Sequence, residues 1–349
     1  LSKEQDKKAT NEAKPSLKKT DVRNTLSDYQ REGEDYDFEI SDEAILRHFG
    51  FMGVEFSSSN YIKPQERAVI AENTLVAYTD MAKIIGLPTN AIGLGGQLGL
   101  TIGRHGGGAR AAAFYDPRQF DNHGNGEYVN VGGYINITRS KGLGTCAHEW
   151  AHALDNYLID KDEITGNPKM PSSLNNYQID QLNIRDELKD AYKKINKVLD
   201  RSGMAKRCRA LPTPAARKYW SDPAELFARG FEAYVKEKGQ QLGIRNDFLV
   251  NVRSEQEFAA ATGLGTKLYP YPTKEEMPQI MEAYDDFLST LQQRTVEKVV
   301  ELENAQGKRE MVFESTALFS RAATPIAPAN NIANFPLNKR GQMAADAIK

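Results

Sequence analysis

The chain has 349 residues, 40% of them hydrophobic and 26% charged, which is enough to bury the core of one large domain or two small ones. Its formal net charge of −2 indicates neither nucleic-acid binding nor binding to an anionic membrane. Two cysteines are too few for a disulfide framework and fit a reducing cytoplasm, and the sequence contains no signal peptide and no apolar run of the roughly 18 residues that a transmembrane helix needs.

The first segment, residues 1–35, is rich in Lys, Glu, Asp, Asn and Ser and has almost no apolar periodicity, which predicts a flexible linker. Because the chain begins with Leu1 rather than Met, we interpret it as a piece of a longer polypeptide, whose other domains are expected partners. A folded core is predicted to follow over residues 36–240.

The first half of this core predicts helices and then strands. Apolar residues at helical spacing predict helices over residues 42–49 and 63–85. Residues 93–108 contain eight glycines but match neither a phosphate-binding loop nor a dinucleotide fingerprint, so we interpret them as a tightly turning segment rather than a ligand loop. Short β-strands are predicted next, at residues 111–115, 128–131 and 134–138.

A His-Glu-x-x-His motif follows these strands in an apolar stretch that predicts a buried helix. On a helix His148 and His152 share one face, about one turn apart, and two neutral imidazoles at that separation can hold one Zn²⁺. Glu149 projects about 100° around the helix from His148, where it can act as a general base without being a ligand. A satisfied structural histidine pair is the alternative, and we favour a metal because unpaired buried polar groups are costly.

The remainder of the chain is predicted to be mostly helical. Amphipathic patterns predict helices over residues 179–199, 223–238 and 277–302. We therefore predict a helical extension over residues 241–318 that packs on the core. Residues 319–349 are rich in Ala, Pro and Asn and are predicted to form a flexible tail.

A zinc site of this kind needs a third protein ligand if water is to occupy the fourth position. A third histidine six residues after His152 is excluded because Leu158 stands there. Glu225 and Glu232 lie seven residues apart on nearly the same face of the helix predicted over 223–238. Each also has a structural explanation, since Glu225 fits the acid of a capping box and Glu232 can pair with Arg229.

Two sequence motifs, His-Glu-Trp-Ala-His-Ala-Leu-Asp from His148 and Glu-Leu-Phe-Ala-Arg-Gly-Phe from Glu225, resemble the zinc motifs of gluzincin metallopeptidases such as anthrax lethal factor. Roughly residues 38–240 resemble the zincin-like domains of large polyvalent proteins, which phages and conjugative elements encode. The resemblance implies an α+β, zincin-like fold, mostly helical with a small mixed sheet beside the His-Glu-x-x-His helix. It also implies Glu225 as the third ligand and leaves Asp155 as either an acceptor that orients a ligand imidazole or a solvated side chain.

The function that these residues predict is that of a zinc-dependent endopeptidase acting on a polypeptide substrate. Glu149 would take a proton from zinc-activated water as it attacks a carbonyl. Tyr219 is the candidate donor to the oxyanion, although it can instead simply pack beside Trp220. The strand over 134–138 is the candidate sheet edge for pairing with an extended peptide.

Two other classes of function stay open. One is a catalytically silent, zinc-stabilised binding module of a packaged or injected phage protein. The other is a metallohydrolase that cleaves a non-peptide amide. The expected location is the cytoplasm of a bacterial host or, alternatively, a virion.

Overall fold

The helix that carries the His-Glu-x-x-His motif lies between a small sheet and a second long helix. The computed structural model describes residues 29–39, 41–56, 64–102, 113–122, 128–138, 142, 144–159, 170–304 and 307–319. The helices in these ranges are α1 (Asp42–Phe49), α2 (Pro64–Ile85), α3 (Cys146–Tyr157), α4 (Asn176–Asp180), α5 (Asp186–Arg201), α6 (Gly203–Arg209), α7 (Pro214–Trp220), α8 (Pro223–Gln241), α9 (Glu255–Thr262) and α10 (Met277–Ser289). The strands are β1 (Arg31–Glu32), β2 (Gly53–Phe56), β3 (Leu98–Ile102), β4 (Ala113–Asn122), β5 (Tyr128–Ile137), β6 (Arg245–Asn246), β7 (Gln292–Asn304) and β8 (Gly307–Phe319).

The main sheet is mixed and has the strand order β2-β3-β5-β4. β3 pairs in parallel with β2 and β5, whereas β4 pairs antiparallel with β5. The predicted strands over 128–131 and 134–138 form the single strand β5. Because β5 lies between β3 and β4, the prediction that residues 134–138 form a sheet edge is wrong, and β2 and β4 are the outer strands.

Helix α3 is buried on all sides because apolar side chains surround it, as its sequence predicts. Every residue from Cys146 to Asn156 is buried. On the sheet side the Tyr115 hydroxyl donates to the Asn156 side chain at 2.9 Å, and elsewhere Trp150 Nε1 donates to the Ile92 carbonyl at 2.9 Å. The Trp150 ring also packs on Phe231 of α8, with ring centroids 5.7 Å apart. These contacts fix the helix relative to both of its neighbours.

A backbone turn positions the beginning of α3. Gly144 has a φ of +82°, and a Cβ there would lie 2.4 Å from Asn251 Cβ, so a side chain does not fit. Its amide donates to the Phe248 carbonyl at 2.7 Å, and its carbonyl accepts from the Asn251 amide at 2.9 Å. The loop after β6 therefore holds the end of α3 from which His148 projects.

The α+β class and a small mixed sheet beside α3 are confirmed, as are the helices predicted over 42–49, 63–85 and 223–238. The tight-turn interpretation of the glycine-rich segment holds for its first part, where Gly95 and Gly96 have φ of +64° and +71°; residues 103–108 lie outside the described ranges. None of the helices in the described parts of the chain combines the length and apolarity that crossing a membrane requires.

The prediction of a helix over residues 277–302 is wrong for the second half of that range. Helix α10 ends at Ser289, and β7 begins at Gln292 and pairs antiparallel with β8 along its whole length. Residues 295–300 include Thr and three Val, which are β-branched and favour strands. The extension over 241–318 is therefore only partly helical, and it ends in a long hairpin.

The base of this hairpin packs on the core. The Gly95 amide donates to the Thr316 carbonyl at 3.1 Å, and the Thr316 hydroxyl donates to the Asn90 side chain at 2.8 Å. The Leu318 amide donates to the hydroxyl of Tyr157, the last residue of α3, at 3.3 Å. The base of the hairpin is thus held against the residues around Asn90 and against the last residue of α3.

The end of the predicted N-terminal linker also differs from the structure. Arg31 pairs with the buried carboxylate of Asp80, Nε to Oδ2 2.9 Å, and β1 pairs with β6. Arg31 and Glu32, which lie inside the predicted linker, therefore contact the folded part of the chain. Most of the predicted linker, and nearly all of the predicted C-terminal tail, lie outside the described residues.

Candidate metal centre

The two histidines of α3 face one another on one side of the helix. His148 is 3% exposed and His152 is 8% exposed. Their Nε2 atoms lie 3.2 Å apart, with the ring planes inclined at 80°. The spacing of four residues therefore brings two ring nitrogens to one point, as the helical geometry predicts.

Helix α8 brings Glu225 to the same point. Asp222 caps this helix, since its side chain accepts from the Ala224 amide at 3.0 Å, and Glu225 turns inward instead of completing a capping box. Its two carboxylate oxygens lie 3.5 Å from His148 Nε2 and 3.6 Å from His152 Nε2. Glu225, which the resemblance implies as the third ligand, is thus the carboxylate that lies beside both histidines.

The donor set fits a metal ion. A tetrahedral zinc ion with bonds of about 2.0–2.2 Å holds its ligand atoms about 3.3–3.5 Å apart, close to the three separations above. Glu225 Oε2 is buried and has no hydrogen-bond donor among the described residues. Burial acts to raise the pKa of Glu225, but its interactions with the neighbouring imidazoles of His148 and His152 outweigh this effect and hold that pKa well below its usual range. A buried, ionised carboxylate beside two imidazoles is a suitable place for a cation. These three residues could therefore hold a metal ion.

Glu232 faces the other nitrogen of His148. Its Oε2 accepts from His148 Nδ1 at 3.2 Å, and the carboxylate is 2% exposed. Glu232 is therefore neither the third ligand nor the partner of Arg229, whose guanidinium donates to the Trp220 carbonyl instead. A carboxylate in this position fixes the imidazole tautomer and leaves the Nε2 lone pair available to a metal. The sequence indicates Glu232 as a candidate ligand but gives no sign of this role.

Glu149 and Tyr219 border the same site. Glu149 is 5% exposed and directly follows His148 on α3. Desolvation raises the pKa of the Tyr219 hydroxyl above its usual value, and the negative charges of Glu225 and Glu149 raise it further. Tyr219 as a whole residue is 49% exposed, and its ring meets the Trp220 ring edge-on, with centroids 5.8 Å apart. Tyr219 therefore packs beside Trp220, and its role as the donor to the oxyanion stays a prediction.

Asp155 has neither of the two roles predicted for it. It is fully buried, and its carboxylate accepts from both the amide and the hydroxyl of Ser172. His152 Nδ1, which an orienting carboxylate would contact, has no hydrogen-bond partner among the described residues. Burial raises the pKa of Asp155 from 3.8 to about 6, while the bonds from Ser172 partly oppose the shift.

This shift predicts a pH-dependent stability that D155N removes. Because the folded-state pKa is above the unfolded one, the protonated carboxyl favours folding below pH 3.8, and this contribution is lost as the pH rises to about 6. Between those limits we expect the free energy of unfolding of the metal-free protein to fall by about 3 kcal/mol relative to that of D155N. Urea unfolding from pH 3.5 to 7 measures the difference, with the exposed Asp190→Asn as the control. Parallel pH profiles for the wild type and D155N would contradict the assignment.

A comparison with protein-family models links part of this site to a known family. Residues 213–295 match large polyvalent protein-associated domain 1. The match supports an association with large polyvalent proteins. No curated protein and no solved structure matches the chain significantly. The matched segment contains Tyr219, Glu225 and Glu232 but neither histidine, so the candidate site combines it with helix α3 from the preceding part of the chain.

Proposed function

We propose that this chain is a zinc-dependent endopeptidase domain with a zincin-like catalytic core. The convergence of His148, His152 and Glu225, with Glu149 beside them on the same helix, is the observation that carries the proposal. A site that only stabilised the fold would not need the buried acid at position 149. We therefore favour an enzyme over a silent zinc-binding module.

Each residue of the site has a distinct task in this proposal. Zinc bound there would supply Lewis acidity, which polarises a carbonyl and acidifies water. Glu149 accepts a proton from the attacking water and then donates this proton to the nitrogen of the leaving amine. Glu232 keeps His148 in one tautomer, and the Tyr219 hydroxyl donates a hydrogen bond to the substrate oxygen as it gains negative charge.

The biological setting that we propose is a mobile genetic element. The match over residues 213–295 supports an origin in a large polyvalent protein. We propose that the domain acts on polypeptides in the cytoplasm of a bacterial host as part of a longer protein encoded by a phage or conjugative element.

Metal analysis and identification of cleavage products test this function together. The purified protein is expected to contain about one zinc ion per chain and, when incubated with a bacterial lysate, to generate new protein N-termini that are absent with the Glu149→Gln variant. Zinc without new termini would favour a binding module. New amine groups on non-peptide material, without new protein termini, would favour an amidase. A protein that binds no zinc would overturn the proposal.

A further inference from the structure

The short turn between α7 and α8 determines where Tyr219 lies relative to the metal ligands. Only Ser221 and Asp222 separate the two helices. The Asp222 amide donates to the Tyr219 carbonyl at 3.2 Å, so the backbone of Tyr219 is tied to the cap of α8. Glu225 lies in the first turn of that helix. Any contact that fixes this turn therefore also fixes the backbone from which the Tyr219 side chain projects, relative to Glu225.

Arg229 makes that contact from inside the protein. Its side chain is 1% exposed, and its Nη2 donates to the carbonyl of Trp220, the last residue of α7. Its guanidinium carbon also lies 4.6 Å from the centre of the Trp220 ring, in a cation–π contact. Trp220 packs edge-on against the Tyr219 ring. The buried Arg229 side chain thus contacts both the backbone carbonyl and the ring of Trp220, which directly follows Tyr219.

A packing role alone does not account for an arginine at this position. Removing a guanidinium from water is costly, and its Nε and Nη1 have no hydrogen-bond partner among the described residues. A methionine fills a similar volume in an apolar interior without that cost. The arginine instead adds a donor to the Trp220 carbonyl, which no aliphatic side chain can provide.

We propose that Arg229 is a positioning residue. It holds the turn between α7 and α8, so that the Tyr219 side chain is directed towards the candidate metal site that includes Glu225. The catalytic consequence of this role rests on the proposed peptidase function. The structural consequence, an ordered turn, does not depend on it.

Hydrogen exchange tests the structural part without measuring activity. In zinc-loaded R229M we expect the amides of residues 219–222 to exchange about tenfold faster than in the wild type, because the donor to the turn is lost. K236M is the matched control, since Lys236 lies on the same helix and donates to the Val252 carbonyl, away from the turn. R229K keeps the charge but lacks the planar fork, so it should restore protection only in part. It also serves as the second variant if R229M does not fold. Exchange that is unchanged in both Arg229 variants would overturn the proposal.

A double-mutant cycle tests the catalytic part. R229M should lower kcat about tenfold with KM changed less than about twofold, and in a Y219F background it should have no further effect. Independent, multiplicative losses from the two substitutions would mean that Arg229 does not act through Tyr219. If the wild type hydrolyses no peptide, the proposed function fails, and the exchange measurement still decides whether Arg229 orders the turn.

Discussion

Replacing Glu149 with glutamine is expected to leave zinc bound and to lower kcat/KM for peptide hydrolysis by a factor of about 10²–10⁴. The three groups that could hold the metal come from His148, His152 and Glu225, so the binding set stays complete. Glutamine has nearly the same shape as glutamate but cannot accept the proton of water. Zinc content by elemental analysis and kcat/KM on a peptide identified from the new N-termini measure the two effects separately.

The control for this experiment is Glu187→Gln, which removes one carboxylate from the first turn of α5, where the side chain is 74% exposed. It should change neither zinc content nor turnover. Hydrolysis by Glu149→Gln within about twofold of the wild type would remove Glu149 as the base. Loss of zinc from this variant would instead mean that Glu149 belongs to the binding set.

The part of the site on α3 could be predicted from the sequence because it depends on local geometry alone. Residues four apart on a helix face the same way whatever the helix packs against, so His148 and His152 required no knowledge of the tertiary fold. The apolar residues around them likewise predicted that α3 is buried. The identity of the third ligand is different, because it depends on how α8 crosses α3, and only the family resemblance indicated Glu225.

The role of Glu232 could not be predicted for a related physical reason. Seven residues along a helix amount to almost two full turns, so Glu225 and Glu232 lie on the same face about 10 Å apart along the axis. Their chemistry is identical, and the sequence does not tell which one reaches Nε2 of His148 and which reaches Nδ1. The structure separates them because α8 runs past the imidazole and presents one carboxylate to each ring nitrogen.

The C-terminal hairpin illustrates a different limit. Apolar residues in 292–302 satisfy a helical period and also an alternating one, and the choice between them depends on a partner strand. Residues 307–319 provide that partner, pairing from Gln292↔Phe319 to Asn304↔Gly307. Pairing of this kind is non-local in sequence, so a pattern read along the first strand alone predicted a helix.

The same geometry predicts a graded loss of metal from the two glutamates of α8. Glu225→Ala removes a ligand and should weaken zinc binding by more than about 100-fold, whereas Glu232→Gln leaves all three ligands and should weaken it only about 10–100-fold. Glu232→Gln keeps a side-chain oxygen that can accept from His148 Nδ1, but it lacks the negative charge that strengthens this bond. Competition with a chromophoric chelator measures both affinities, and Glu237→Ala is the control on the same helix.

The order of these two losses distinguishes a ligand from a carboxylate that orients a ligand. Normal zinc affinity in Glu225→Ala would exclude this residue from the binding set, and a larger loss in Glu232→Gln would exchange the two roles. A pH series adds an independent criterion. If Glu232 fixes the tautomer of His148, then Glu232→Gln should shift the pH at which zinc is released upward, because protons displace a more weakly bound zinc ion from the imidazoles at a higher pH. A Glu225→Ala protein that lacks the third ligand should instead bind zinc weakly across the whole range, since no change of pH replaces the missing carboxylate oxygen.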